Sequence, residues 1–202
     1  MSTIYRQALK AIGGQVLICF FLFVFYVPVA FAESREPLPQ KDPGYFSKGE
    51  RFWSLMAGRS EDEMELGSIK LTQLTISDYV FDNFAVTYGI GLGYANARKT
   101  KNGFQGGPQL GLRMHFINCR RWSIYIDGSL GAVYHQYPME EGTLHFNFDV
   151  QAGFGASYRI NEKTALRGGY RHHHLSNAGI GGDEKNLGYD APMFYFGVMR
   201  LF

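Results

Sequence analysis

From Leu144 to Ile160 the chain reads LHFNFDVQAGFGASYRI, and every even position is apolar or tyrosine. Every odd position in that stretch is polar or glycine. A period of two over this length predicts one long β-strand, since ordinary strands run to about five or six residues. The pattern recurs. Residues 84–94 set Phe84, Val86, Tyr88, Ile90, Leu92 and Tyr94 against alanine, threonine and glycine, and residues 108–116 set Leu110, Leu112, Met114 and Phe116 against Gln109, Arg113 and His115. Residues 122–136 alternate in the same way, as do 164–176 and 191–202. Weaker runs at 51–58 and 69–81 complete eight predicted strands, the latter slipping phase near Gln73 as a β-bulge does.

The connections between these runs alternate in length. Phe81-Asp82-Asn83, Asn118 to Arg121 and Asn161-Glu162-Lys163 are short, whereas 59–68, 95–107, 137–142 and 177–190 are long and polar. Short turns at one end and long loops at the other predict an all-β fold, an eight-stranded antiparallel transmembrane β-barrel of the outer membrane with its short turns in the periplasm. The last residue, Phe202, is aromatic and ends a strand whose outward face is Phe194, Phe196 and Val198, with Arg200 the poor fit. The soluble alternative is a lipocalin-like barrel with its apolar face inside. An eight-stranded lumen has room only for modest side chains, so the bulky face belongs outside, against lipid.

The first residues fall outside this pattern. Arg6 and Lys10 precede the apolar run Val16 to Ala30, and Ala30-Phe31-Ala32 supplies a small-x-small cleavage pattern, so 1–32 reads as a cleaved signal peptide. Residues 33–50, with Pro37, Pro39 and Pro43, read as an extended periplasmic lead-in, and 51–202 as the barrel. Of 20 basic side chains two lie in the signal, which leaves 18 against 18 acidic ones. That balance gives no case for a nucleic-acid partner. Cys19 goes with the signal, so Cys119 stands alone, which excludes an internal disulfide and a thiolate zinc site and leaves a homodimer linked through it open. Glu61 to Glu65 (EDEME) reads as a solvated acidic loop that could bind divalent cations bridging lipopolysaccharide.

The polar residues of the seventh run carry the candidate chemistry. In TALRGGYRHHHLS, residues 164–176, Arg167 and Arg171 belong to the lumen, which turns Leu166, Tyr170, His172, His174 and Ser176 outward. A histidine and a serine two residues apart on one strand face lie about 6.5–7 Å apart at Cα, within side-chain reach. Polar groups facing lipid are costly and mark function. A serine hydroxyl becomes a nucleophile once a neighbouring base takes its proton, and a carboxylate behind the imidazole fixes its tautomer. The eighth run, beside the seventh, offers Asp190. His172 and His174 share a face as a metal pair would, but no further ligand clusters near them in sequence, so no metal and no cofactor is expected. His172 and His173 read as interfacial histidines without chemistry.

"HLSNAG", His174 to Gly179, resembles the H-x-S-N-A motif of the lipid A 3-O-deacylase (PagL-like) family of outer-membrane esterases. In layout the resemblance covers the barrel, and in specific letters the last thirty or so residues. It implies His174 as general base, Ser176 as nucleophile, and an acid in the segment Asn186-Leu187-Gly188-Tyr189-Asp190, where Asp190 stands for the family's glutamate. The spacing from the serine to that segment is about two residues longer here, and Asp183 and Glu184 are the other carboxylates within reach. Oxyanion stabilisation or substrate positioning falls to Asn177, Gly179 and Asn186. The implied substrate is lipid A of lipopolysaccharide. The runner-up is a non-catalytic outer-membrane barrel serving membrane integrity or adhesion.

Overall fold

The computed structural model describes residues 46–62, 66–180, 182 and 185–202. The signal-peptide expectation for 1–32, most of the lead-in, and the alternative acids Asp183 and Glu184 lie outside the described residues. Eight strands follow one another: β1 (Arg51–Asp62), β2 (Gly67–Phe81), β3 (Phe84–Ala97), β4 (Gly103–Asn118), β5 (Trp122–His135), β6 (Phe146–Arg159), β7 (Thr164–Ser176) and β8 (Tyr189–Leu201). Each pairs antiparallel with its sequence neighbour, and β8 closes on β1. Cross-strand neighbours followed from Ser60 through Met193, Arg171, Gly153, Asp127, Arg113, Ala85 and Tyr79 return to Glu50, a stagger of ten residues. Such a stagger tilts the strands and fixes the barrel's width.

The alternation sorts as expected. Leu74, Ile90, Leu92, Leu110, Leu130, Phe154, Phe194 and Phe196 are exposed on the outer surface. Aromatic rings mark both edges of this apolar band, with Trp122 against Tyr158 at the short-turn end and Tyr94 against Phe104 at the long-loop end. A bilayer supplies the environment in which such a surface is stable.

Inside, Asp127 accepts from three buried arginines, Arg113 (3.3 Å), Arg167 (3.0 Å) and Arg171 (2.7 Å). Gln73 and Gln151 take further guanidinium hydrogens of Arg171, and the ring of Tyr195 lies under Arg167 and Arg171. Buried charges are tolerable when so paired and hydrogen-bonded. Two apolar clusters close the lumen above and below this layer. Phe46, Phe52, Tyr79 and Met199 fill the short-turn end. Ile69, Leu71, Met139, Leu175, Leu187, Tyr189 and Met193 fill the long-loop end.

The structure corrects three local expectations. β2 keeps its register through Gln73, opposite Met56 and Gly91, and its irregularity falls between Tyr79 and Phe81. The apparent slip arises because Ile69 and Leu71 turn into the apolar outer plug while Lys70 and Thr72 face out. β4 begins at Gly103, five residues before the expected start, and continues through Gly106 and Gly107. A Cβ on Gly107 would sit 1.7 Å from the carbonyl oxygen of Ala132, so a pair that looks like a breaker permits close strand approach. The described end of the lead-in is not extended: Phe46 folds into the lumen, 3.9 Å from the His115 ring between centroids.

Candidate active site

His174 lies directly opposite Asp190 across the β7–β8 ladder, and Ser176 ends β7 opposite Phe148 of β6. All three side chains leave the outer face, because their inward neighbours are His173, Leu175, Tyr189 and Ala191, each buried. The site therefore sits on the outside wall of the barrel, at the long-loop edge of the apolar band.

His174 Nδ1 donates to Asp190 Oδ1 at 2.8 Å. An ionised carboxylate only accepts, so the bond places a proton on Nδ1; in the neutral ring Nε2 is then the acceptor. That is the tautomer in which an imidazole takes a hydroxyl proton on its far side. Side-chain exposure is 34% for His174 and 42% for Asp190, so the pair is half-covered and still reachable from the surroundings. Among the described residues no hydrogen bond reaches the Ser176 hydroxyl, which follows His174 by two residues on the same face of β7. Such loose geometry is common before substrate binds.

Asp190 Oδ1 has a second donor that sequence reasoning passed over. His172 Nε2 lies 3.0 Å from it, although His172 faces Pro192 directly across the ladder. The signal was present in the sequence as a third outward position, but its partner became visible only with the strand register.

The loop after β7 is held from within. Ala178 (φ 54°) and Gly179 (φ 78°) both turn left-handed. The fully buried Asn177 side chain spans this turn: its Oδ1 accepts from Gly179 N–H at 2.9 Å, and its Nδ2 donates to the Lys185 carbonyl at 2.8 Å. Asn177 N–H in turn donates to Asn186 Oδ1 at 2.8 Å. Asn177, Gly179 and Asn186 thus form one bonded unit, and the Asn177 carboxamide and the Gly179 amide are occupied inside it. Asn186 has its Oδ1 fixed by this bond, and among the described residues no hydrogen bond takes up its Nδ2 hydrogens. Leu187 anchors the far end of the loop by burying its side chain in the outer plug, a contribution of about 2 kcal/mol.

The inner faces of the same strands are pinned. Ser60 Oγ lies 2.9 Å from His173 Nδ1 and 2.8 Å from the Tyr189 hydroxyl, and His173 Nε2 lies 3.2 Å from Asp149. His173, taken from the sequence as an interfacial residue, is fully buried, and its hydrogen bond to Ser60 ties β1 to the strands that carry the site, with Asp149 of β6 nearby.

This combination defines a class: an outer-membrane-type β-barrel carrying a serine, histidine and aspartate on its outer wall. The chain belongs to the lipid A 3-O-deacylase (PagL) family, whose model matches residues 48–199. No curated protein matches it in sequence. Among solved structures it is similar to the outer membrane protein OprG from Pseudomonas aeruginosa, at 11% identity and a TM-score of 0.53 over 77% of this chain and 97% of that one. The N-terminal β-barrel domain of Pseudomonas aeruginosa OprF aligns at 13% identity and a TM-score of 0.52 over 77% and 98%. Neisserial surface protein A gives 12% and 0.52 over 76% and 96%. These three likenesses establish the barrel fold. Cys119 is an exposed free thiol in the turn before β5 and carries no argument for a dimer.

Proposed function

We propose that this protein is an outer-membrane esterase that removes the 3-O-linked hydroxyacyl chain from lipid A. The observation that carries the proposal is the His174–Asp190 bond on the outer wall beside Ser176, within a chain of this family. The Ser176 hydroxyl attacks the ester carbonyl while His174 Nε2 accepts its proton. Asp190 holds the Nδ1–H and offsets the charge of the imidazolium. The carbonyl C–O bond to the sugar then breaks, and the sugar oxygen leaves with the proton from His174. Water, deprotonated by the same nitrogen, attacks the acyl-serine; its C–O bond breaks, the fatty acid leaves, and the proton on His174 returns to the Ser176 oxygen.

Asn186 Nδ2 is the donor for the oxyanion, and Asn177 and Gly179 position it by holding the loop in shape. Substrate needs no path into the lumen, which both plugs close; lipid A diffuses in the outer leaflet to a site that faces it. The test is incubation of the folded protein with lipid A in detergent, products read by mass spectrometry, with Ser176→Ala in parallel. The expected product lacks one hydroxyacyl chain and forms with the wild type alone. Intact lipid A in both samples overturns the proposal in favour of a structural barrel.

A further inference from the structure

We propose that His172 is a positioning residue for Asp190, holding the carboxylate in the orientation that serves His174; this rests on the esterase reading above. Asp190 Oδ1 is shared by two imidazoles, at 2.8 Å from His174 Nδ1 and 3.0 Å from His172 Nε2. Since an ionised carboxylate donates nothing, His172 carries a proton on Nε2 and His174 one on Nδ1, so the two rings present opposite nitrogens to the same oxygen.

The geometry requires His172 to reach for this contact. Its direct cross-strand neighbour is Pro192, and Asp190 is the diagonal one, a separation at which only long or aromatic side chains still meet. An aspartate on a strand edge holding one imidazole can rotate about its carboxyl bond and exchange its two oxygens. A second N–H on the same oxygen, from the diagonal position two residues earlier on β7, restricts that freedom. The need is greatest here, where Asp190 is 42% exposed and faces the boundary of the apolar band, with few competing donors. An interfacial histidine without chemistry would be equally content pointing away from β8. His172 is also 55% exposed, so it supports no packing that its loss would collapse.

The roles separate in kinetics. His172 touches neither Ser176 nor the scissile bond, so its removal slows turnover without weakening substrate binding. His172→Ala is expected to lower kcat for lipid A deacylation about tenfold, with KM within about twofold, a cost typical of a misaligned catalytic group. His172→Gln, whose carboxamide can present an N–H at a similar reach, restores most of that loss. In an Asp190→Ala background, His172→Ala costs nothing further, because the group it positions is gone. Folded protein is confirmed for each variant by its altered mobility on unheated gels.

Unchanged kcat in folded His172→Ala overturns the proposal, as does an equal loss in both backgrounds. A second readout does not depend on activity: nitrogen-15 shifts of labelled histidines in micelles report the tautomer of each ring. The proposal requires His172 as Nε2–H in the wild type, with that preference lost in Asp190→Ala. Finding His172 as Nδ1–H overturns the contact itself. Correct tautomers in a wild type that leaves lipid A intact overturn the esterase reading instead, and the positioning role with it.

Discussion

Replacing Asn177 by alanine separates a loop-holding role from a direct chemical one. The side chain is fully buried and makes two hydrogen bonds, to the Gly179 amide and the Lys185 carbonyl. Alanine removes both; with Gly179 half-buried and Lys185 exposed, each bond is an ordinary one of about 0.5–1.5 kcal/mol, or about 1–3 kcal/mol in all. Ala178 pays a further cost of about 1–2 kcal/mol for its left-handed backbone, and the Asn177 bond to Gly179 is what offsets it. The barrel closes through eight strand pairings that do not involve this loop, so the penalty falls on the turn that Asn177 holds and not on global unfolding. Asn186 is displaced with the loop. Deacylation should therefore drop about a hundredfold, as expected when a donor moves by an ångström or more. Hydrogen exchange read by mass spectrometry should speed up in 177–188 and stay unchanged in the strands. Normal turnover, or lost turnover with unchanged exchange in the loop, refutes this reasoning.

Three further outcomes follow. Asp190→Asn presents an N–H where His174 needs an acceptor, so it reverses the tautomer and should cut kcat on the order of a thousandfold or more, measured as fatty-acid release. Asp127→Ala strips the lone carboxylate from among Arg113, Arg167 and Arg171, all at most 8% exposed, and should destabilise the barrel by about 3–5 kcal/mol in urea titrations of the lipid-embedded protein. Gly155→Ala puts a Cβ 2.5 Å from the Tyr125 hydroxyl and 2.6 Å from that of Tyr195, which are bonded to each other at 2.9 Å; about 1–3 kcal/mol should be lost in the same titration, with site chemistry intact.

Most of the barrel was legible because its outer surface answers to lipid alone: Phe84 to Tyr94 or Leu144 to Ile160 must be apolar or aromatic at every second position whatever the function. The lumen was less legible, since its ends are apolar and its middle charged. Ile69 and Leu71 thus imitated a bulge, and Phe46 after a proline-rich stretch gave no hint of its place as a plug. In the site, His174 and Ser176 share a strand and could be read from their spacing. Asp190 could be placed only as the next strand's candidate, because register decides which residue faces His174. The His172 contact is diagonal and the His173 network crosses to β1 and β6, so neither leaves a local mark. For Asn177, the side chain turned out to face the loop it follows, which no pattern of polarity along β7 records.

The proposed esterase requires Ser176 to be an activated nucleophile on the outer wall. A long-chain alkyl fluorophosphonate, which reacts with serines deprotonated by a neighbouring base, tests it most directly when peptide mapping by mass spectrometry follows. A single adduct on Ser176 is expected in the wild type, absent in His174→Ala and strongly slowed in Asp190→Asn. An unlabelled Ser176 in folded wild type, or labelling that is indifferent to His174, contradicts it.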